Sequence, residues 1–326
     1  MPNAPAPPLA IADAPGKVIL VGEHAVVYGQ PAIAVPVASV AARAAVHAAE
    51  PPLRIVAEFP PGEERDALEI DLATARHGGA LAAAADAALR HAGRTAQTPW
   101  SIEITSTVPT GRGMGSSAAV AVALVRAIGE AAGEAWDAAT VAALAMASEE
   151  QIHGTPSGID NTVIAFGQPI RFQRGQVRPL TVGGPLHLLI ADSGTSGATR
   201  DMVTGVRARR DARPTAYDDW LRRSGRLVDE AAAAIADGNP SRLGWLMNTN
   251  HLILQAMRVS TPALDSLVAA ARESGAFGAK LSGAGGGGVA IALVKPEAAA
   301  DVESALRHAG AAAVIRTTVE PITGSP

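Results

Sequence analysis

The sequence predicts an α+β protein built from two domains, and three observations point there. The chain is 326 residues long, which at about 150 residues per domain leaves room for two domains and a sizeable core. Short β-like runs alternate with longer helical stretches, without an internal repeat. The succession Val182, Gly183, Gly184, Pro185 interrupts that alternation near the middle. A boundary is expected there, giving a flexible Pro/Ala-rich arm over 1–10, a first domain over 11–184 and a second over 185–326.

Taken in order, residues 15–21 and 32–47 read as strands, with Gly29, Gln30 and Pro31 turning the chain between them. Residues 53–58 and 101–106 alternate more cleanly, whereas 80–91 are Ala/Leu-rich and read as helix. A second helix over 117–132 opens out of a glycine-rich loop. A third spans 137–153, with Asp137 as its N-cap and Gly154 just past its end. Residues 163–172 read as a return to strand. In the second domain a strand over 186–191 precedes helices near 199–210, 217–236, 241–257, 262–274 and 296–308. Strands near 278–281, 288–294 and 313–319 complete the layer.

Composition removes other classes of protein. An apolar share of 48% with 18% charged residues belongs to a folded globular chain. A formal charge of -4 and an aromatic share of 3% supply neither a cationic field nor stacking platforms, which excludes nucleic acid as the partner. With no cysteine there is no disulfide, thiolate zinc site or cysteine nucleophile. The first ten residues lack a basic n-region and an apolar h-region, and no run reaches the roughly 18 apolar residues of a membrane span. The expectation is a soluble cytoplasmic protein without membrane contact. Lysine occurs only at Lys17, Lys280 and Lys295 in a chain that otherwise writes its cations as arginine, as in the cluster from Arg207 to Arg213.

Chemistry-bearing residues gather in a few segments. Between a strand and a helix lie Pro109, Gly111, Gly113, Met114, Gly115, Ser116, Ser117 and Ala118. Glycines at alternate positions permit positive φ and close backbone approach, and the helix start offers free N–H groups with the positive dipole end. That is an anion cradle. Ser116 and Ser117 are either N-caps or hydroxyls placed on a phosphate-bound Mg²⁺. No G-x-x-x-x-G-K-[ST] loop occurs. The relaxed fingerprint G-x-G-x-x-A is met from Gly113 to Ala118. A dinucleotide fold, however, needs an acid ending a second strand about 20 residues on, and that region is helical.

In the next segment, Glu149 stands near a helix C-terminus, where the macrodipole disfavours a carboxylate unless a cation offsets it. Ser157 and Asp160 follow in a rigid Pro/Gly loop, Asp160 being either a displayed side chain or an Asx-turn residue. Glu149 and His153 are spaced i, i+4 without a third metal ligand in the pattern, which favours a structural histidine. A third segment has glycine at five of the six positions from Gly283 to Gly288, with Ala284 the exception, ahead of an apolar strand. At about 0.5 to 1 kcal/mol per glycine, such a run implies that something presses close to its backbone. Near the start, Lys17 lies in an apolar strand and implies a carboxylate partner or ligand. Glu23, His24 and Tyr28 follow it in a small polar setting.

In this order, the segments resemble the GHMP kinase superfamily from residue 14 to about residue 294. The Gly-Glu-His-Ala-Val-Val-Tyr-Gly stretch from Gly22 to Gly29, with the loop running to Asn161, is similar to the mevalonate kinases. Galactokinases carry a different loop where Ala25 and Val26 stand here. The resemblance implies an N-terminal domain like domain 2 of ribosomal protein S5 and a ferredoxin-like C-terminal domain, with the site in a cleft between them. It implies ATP and Mg²⁺ as cofactors, mevalonate as the small-molecule substrate and a homodimer. By position, the loop from Pro109 to Ala118 holds the ATP phosphates, Ser117 and Glu149 bind Mg²⁺, and Lys17 and Asp160 stand at the accepting hydroxyl. Glu23, His24, Ser157 and Thr199 contact the substrate, and the loop carrying Gly283 and Ala284 closes over it. The nearest alternative is a kinase of this fold acting on phosphomevalonate or another small alcohol. A silent nucleotide-binding regulator would be expected to lack Lys17, Glu149 or Asp160, and all three are present.

Overall fold

The computed structural model describes residues 7–58, 67–72, 79–153, 156–197 and 199–322. Residues 1–6 of the arm, Gly154 and the side chain of His153 lie outside the described residues. The chain forms two compact units that interleave along the sequence. The first takes Met1–Gly16, Val40–Thr110 and Gly115–Gly167, and the second takes Lys17–Ser39, Gly111–Met114 and Gln168–Pro326. Two long strands, β1 (Ala10–Val21) and β2 (Ala32–Ala48), therefore contribute residues to both.

In the first unit, residues 42–48 of β2 pair antiparallel with β5 (Trp100–Ser106). β3 (Arg54–Glu58) lies parallel to β5 on its other edge, and β4 (Ala67–Asp71) closes antiparallel on β3. Strict alternation puts Ile55, Ala57, Ile102 and Ile104 on the buried face. Helices α1 (Gly79–His91), α2 (Ser116–Ala132), α3 (Ala138–His153) and α4 (Ile159–Phe166) complete the unit. α2 is buried almost all round, from Ala118 through Val125, because its small side chains let α1, α3 and α4 approach closely. Asp137 caps α3 as expected, accepting from the Thr140 N–H at 2.7 Å.

The expectation of a strand over 163–172 is corrected here. Residues up to Phe166 are helical, Gly167 ends the helix at φ 62°, and only β6 (Ile170–Gln173) is extended. The run Thr162, Val163, Ile164 has strand-like composition, but tertiary packing overrides it. Buried Asn161 donates to the Ala142 carbonyl of α3 at 2.6 Å, and Thr162 Oγ1 donates back to Gly158 at 2.6 Å, fixing a helical turn.

In the second unit, residues 32–34 of β2 pair with β6, which continues into edge strand β7 (Gln176–Pro179). A separate four-stranded antiparallel sheet has the order β11 (Ala313–Val319), β8 (Leu186–Asp192), β10 (Val289–Val294), β9 (Gly278–Ser282). With helices between β8 and β9 and between β10 and β11, that order is the ferredoxin-like arrangement expected. β10 is buried along its whole length. The connecting helices are α5 (Thr199–Ala212), α6 (Pro214–Ala236), α7 (Pro240–Ala256), α8 (Pro262–Glu273) and α9 (Ala299–His308). Proline opens α6, α7 and α8, and Asn239 and Thr261 cap the last two through their side-chain oxygens. Among the described residues no helix is long and apolar enough to cross a membrane.

Candidate active site

In the second unit, β1 ends in a tight turn whose centre is His24, at φ 59° and ψ -44°. The Ala25 N–H donates to the Glu23 carbonyl at 2.6 Å across it, so His24 occupies the middle of a γ-turn of the rare, strained sense. Strain of this kind persists only where the surroundings enforce it. Those surroundings are on β9 and the loop after it. His24 Nε2 bonds the Ala284 carbonyl at 2.8 Å, which fixes the proton on Nε2 and leaves Nδ1 as the acceptor. Burial first, then the charge of Arg209, pulls its pKa down to about 4 against the bond to Ala284, so the ring is neutral at physiological pH.

Glu23, expected at the substrate, is 2% exposed and has both oxygens engaged by protein groups. Lys280 Nζ donates to Oε1 and also to the Leu281 carbonyl at 2.5 Å. Asn250 Nδ2 donates to Oε2 at 3.0 Å, and Asn250 itself accepts from Ser224 Oγ at 3.0 Å. Lys280 is fully buried; burial pushes its pKa down and the adjoining carboxylate opposes that shift. Sequence reasoning missed this network. Its one visible signal was the scarcity of lysine, which singled out Lys280 without naming its partner.

The run 283–288 folds back on its own unit. Gly283, Gly285, Gly286, Gly287 and Gly288 all have positive φ. Gly286 donates to the Val259 carbonyl at 2.8 Å and Gly288 to that of Thr195 at 2.7 Å, so the loop is pinned along its length. The expectation that something presses close is met at Gly285, where a Cβ would strike the Val259 carbonyl group. Gly113 adjoins the same loop, with a Cβ on Gly283 falling 3.6 Å from Gly113 Cα. Arg112, between two glycines, pairs with Asp192 at 2.9 Å, and the Met114 carbonyl accepts from the Lys17 N–H at 2.9 Å. Lys17 itself is 2% exposed within β1. Thr199 is exposed at the start of α5.

In the first unit, Gly115 opens α2 at φ 74° with no side-chain cap, so the amides of Ser116, Ser117 and Ala118 form a bare helix N-terminus. Ser117 Oγ donates to Glu149 Oε1 at 2.8 Å, joining α2 to α3, and Glu149 is 3% exposed. Of the two sequence readings of Ser117, the N-cap one is corrected here: Gly115 holds the cap position, and the Ser117 hydroxyl is turned to Glu149. Gly158 precedes α4 at φ 82°, which sets half-buried Asp160 in the first turn. Ser157 Oγ lies 3.4 Å from the Ile159 N–H that donates to it. Pro109 leads into the loop, and Gly111 and Gly113 take φ 66° and 74°, giving the alternating positive φ expected.

Comparison with known proteins places this architecture. The family model for the GHMP kinases N terminal domain matches residues 80–168, and that for the GHMP kinases C terminal domain matches residues 231–312. The chain belongs to the GHMP kinase family, whose members are ATP-using kinases. It is 38% identical to the mevalonate kinase of Thermococcus sibiricus over 94% of this chain and 95% of that one. It is 36% identical to the mevalonate kinase of Pyrococcus abyssi over 95% of each. Among solved structures, L. major mevalonate kinase in complex with R-mevalonate superposes with a TM-score of 0.83 at 29% identity, covering 96% of this chain and 97% of that one.

Proposed function

We propose that this chain transfers the γ-phosphoryl group of ATP to the C5 hydroxyl of mevalonate, giving 5-phosphomevalonate and ADP in isoprenoid precursor synthesis by the mevalonate pathway. The observation that carries the reading is 38% identity to a mevalonate kinase across 94% of the chain. The local geometry supports it: a bare helix N-terminus after a glycine loop for the phosphates, and a neutral, oriented histidine for a small polyol acid.

In this reading the backbone from Pro109 through Gly111, Gly113, Met114, Gly115 and Ser116 to Ala118 cradles the triphosphate. The alcohol oxygen of C5 attacks the γ-phosphorus as the bond to the β,γ-bridging oxygen breaks, ADP carrying off the electron pair. Asp160 accepts the hydroxyl proton, and Lys17 offsets the negative charge on the transferring group. His24, Ser157 and Thr199 bind mevalonate, as do Gly283 and Ala284, and Glu23 supports His24. The transition state is loose, so positioning and charge stabilisation supply most of the acceleration.

Mg²⁺ fits the donors present. Ser117 and Glu149 offer two hard oxygens in contact, and Mg²⁺ is ordinarily held by one or two protein oxygens plus water and phosphate rather than by a protein cage. When bound, the ion neutralises phosphate charge. We also take the chain to act in the cytoplasm as a homodimer, with its domains divided near residue 184. An ADP-release assay offering mevalonate and phosphomevalonate separately tests the reading: turnover is expected with mevalonate, and turnover with phosphomevalonate alone overturns it. Light scattering of the purified protein checks the dimer.

A further inference from the structure

Glu23 and His24 are consecutive, and each is tied to the same stretch of chain. Glu23 is held by Lys280 on β9, and the His24 ring is held by the carbonyl of Ala284, four residues further along. Between these ties, Ser282 Oγ accepts from the Ile19 N–H at 2.9 Å and donates to the Ile19 carbonyl at 3.1 Å. The segment leading into the strained turn is thus stitched to β9 and its loop at three places.

A γ-turn of this sense at a non-glycine residue relaxes unless something over-determines it. The Glu23 carboxylate is positioned to do that. Its backbone carbonyl closes the turn, and its side chain is locked from both sides by Lys280 and Asn250. A wholly buried ion pair is weak evidence for stability, since an apolar pair of the same volume often serves as well. Its retention here, on one of three lysines in the chain, asks for a different role.

We propose that Lys280, acting through Glu23, is a positioning residue that holds His24 in its left-handed turn with Nε2–H committed to Ala284 and Nδ1 presented as a hydrogen-bond acceptor for the acceptor substrate. The proposal rests on the mevalonate reading for the identity of that substrate. It departs from the sequence expectation in giving Glu23 no contact with the substrate. Removing the lysine frees the turn and lets the imidazole leave the Ala284 carbonyl. The ring is then less buried and less oriented, while the phosphate-binding backbone keeps its own anchors, the Met114 carbonyl on the Lys17 N–H and Arg112 on Asp192.

The test compares the wild-type chain with Lys280→Met, Glu23→Gln/Lys280→Met and His24→Ala, alone and combined. The paired substitution removes both charges and leaves a side-chain carbonyl at position 23 able to accept from Asn250, so it stays informative where Lys280→Met alone does not fold. Expected are a KM for mevalonate raised at least about tenfold, a KM for ATP within about twofold of wild type and kcat less affected. In a double-mutant cycle the Lys280 effect vanishes once His24 is alanine. In the paired variant the kcat/KM profile for mevalonate gains an acid limb near pH 6 that wild type lacks, as His24 escapes burial and the Arg209 charge. Additive effects in the cycle, or an equal rise in both KM values, overturn the proposal. Nitrogen NMR of the histidine rings reads the same point without turnover: His24 protonated on Nε2 alone in wild type, and averaging between tautomers in the paired variant. An unchanged His24 tautomer in that variant overturns the clamp, whereas absent mevalonate turnover in wild type overturns only the substrate reading.

Discussion

Two buried glutamates, one in each unit, keep their carboxylates in different company. Glu23 has a lysine on one oxygen and an asparagine amide on the other, all within the second unit. Glu149, in the first, shares its oxygen with the hydroxyl of Ser117 at the start of a helix that follows a glycine loop. A carboxylate closed off by protein donors, a cation among them, is suited to holding backbone in place. A carboxylate beside a second hard oxygen, at a helix end that attracts phosphate, is suited to sharing a divalent cation with a nucleotide. Burial alone does not separate the two roles. The partner does.

The strongest challenge to this division falls on the first unit, where Asp160 and Glu149 carry the proposed chemistry. Asp160→Ala is expected to lower kcat at least about a hundredfold with the KM for ATP nearly unchanged, in line with the usual worth of a general base. A loss within about tenfold would make Asp160 a positioning group. Next in size, Glu149→Gln should raise the Mg²⁺ concentration needed for half-maximal rate by at least about 10-fold, since even outer partners of a metal site are worth that much. Glu23→Gln should leave the Mg²⁺ requirement where it was and act on the KM for mevalonate. Equal shifts in the Mg²⁺ titration for both variants would erase the distinction between them.

Much of this was legible in the sequence, for reasons that differ by region. The ferredoxin-like sheet was readable because β8 and β10 are short, mostly apolar runs bounded by glycine and proline, and β11 is rich in β-branched residues. The glycine loop before α2 was readable because positive φ at alternate positions leaves glycine at 111, 113 and 115. α4 was not, since β-branched Thr162, Val163 and Ile164 resemble a strand until Asn161 is seen bonded to α3. Nor was the interleaving of the units, because Lys17–Ser39 and Gly111–Met114 join the second through contacts distant in sequence. The pairing of Glu23 with Lys280 spans 257 positions, and no local pattern records it.

A smaller effect is expected from the loop that follows β9. Gly285→Ala forces φ 79° on a side chain and aims its Cβ at the Val259 carbonyl, whose carbon would lie 2.9 Å away. Holding a non-glycine residue there costs on the order of 1–3 kcal/mol. The midpoint of thermal unfolding should fall by several degrees in a scan of the purified variant, with the Mg²⁺ requirement untouched because Glu149 lies in the other unit. An unchanged midpoint would mean that the loop relaxes away from Val259, and that the anchoring described above is weaker than its hydrogen bonds imply.

The least change is expected from pH between 6 and 8, and that near-absence is informative. His24 and His251 both sit near pKa 4 in the folded chain, each pushed down mainly by burial, against about 6.5 when unfolded. Between those values the unfolded chain binds the more protons, so stability is fully present above about pH 6.5 and is lost as pH falls toward 4. Denaturant midpoints measured at pH 7.5, 6, 5 and 4.5 should therefore decline stepwise, while kcat/KM for mevalonate shows no limb assignable to His24 from pH 6 to 8. In the first unit, Glu149→Gln should keep that profile flat, whereas loosening the turn around His24 should bend it. A wild-type profile that already bends near pH 6.5, and straightens in His24→Ala, would mean that the ring titrates as an exposed histidine and that the turn does not hold it.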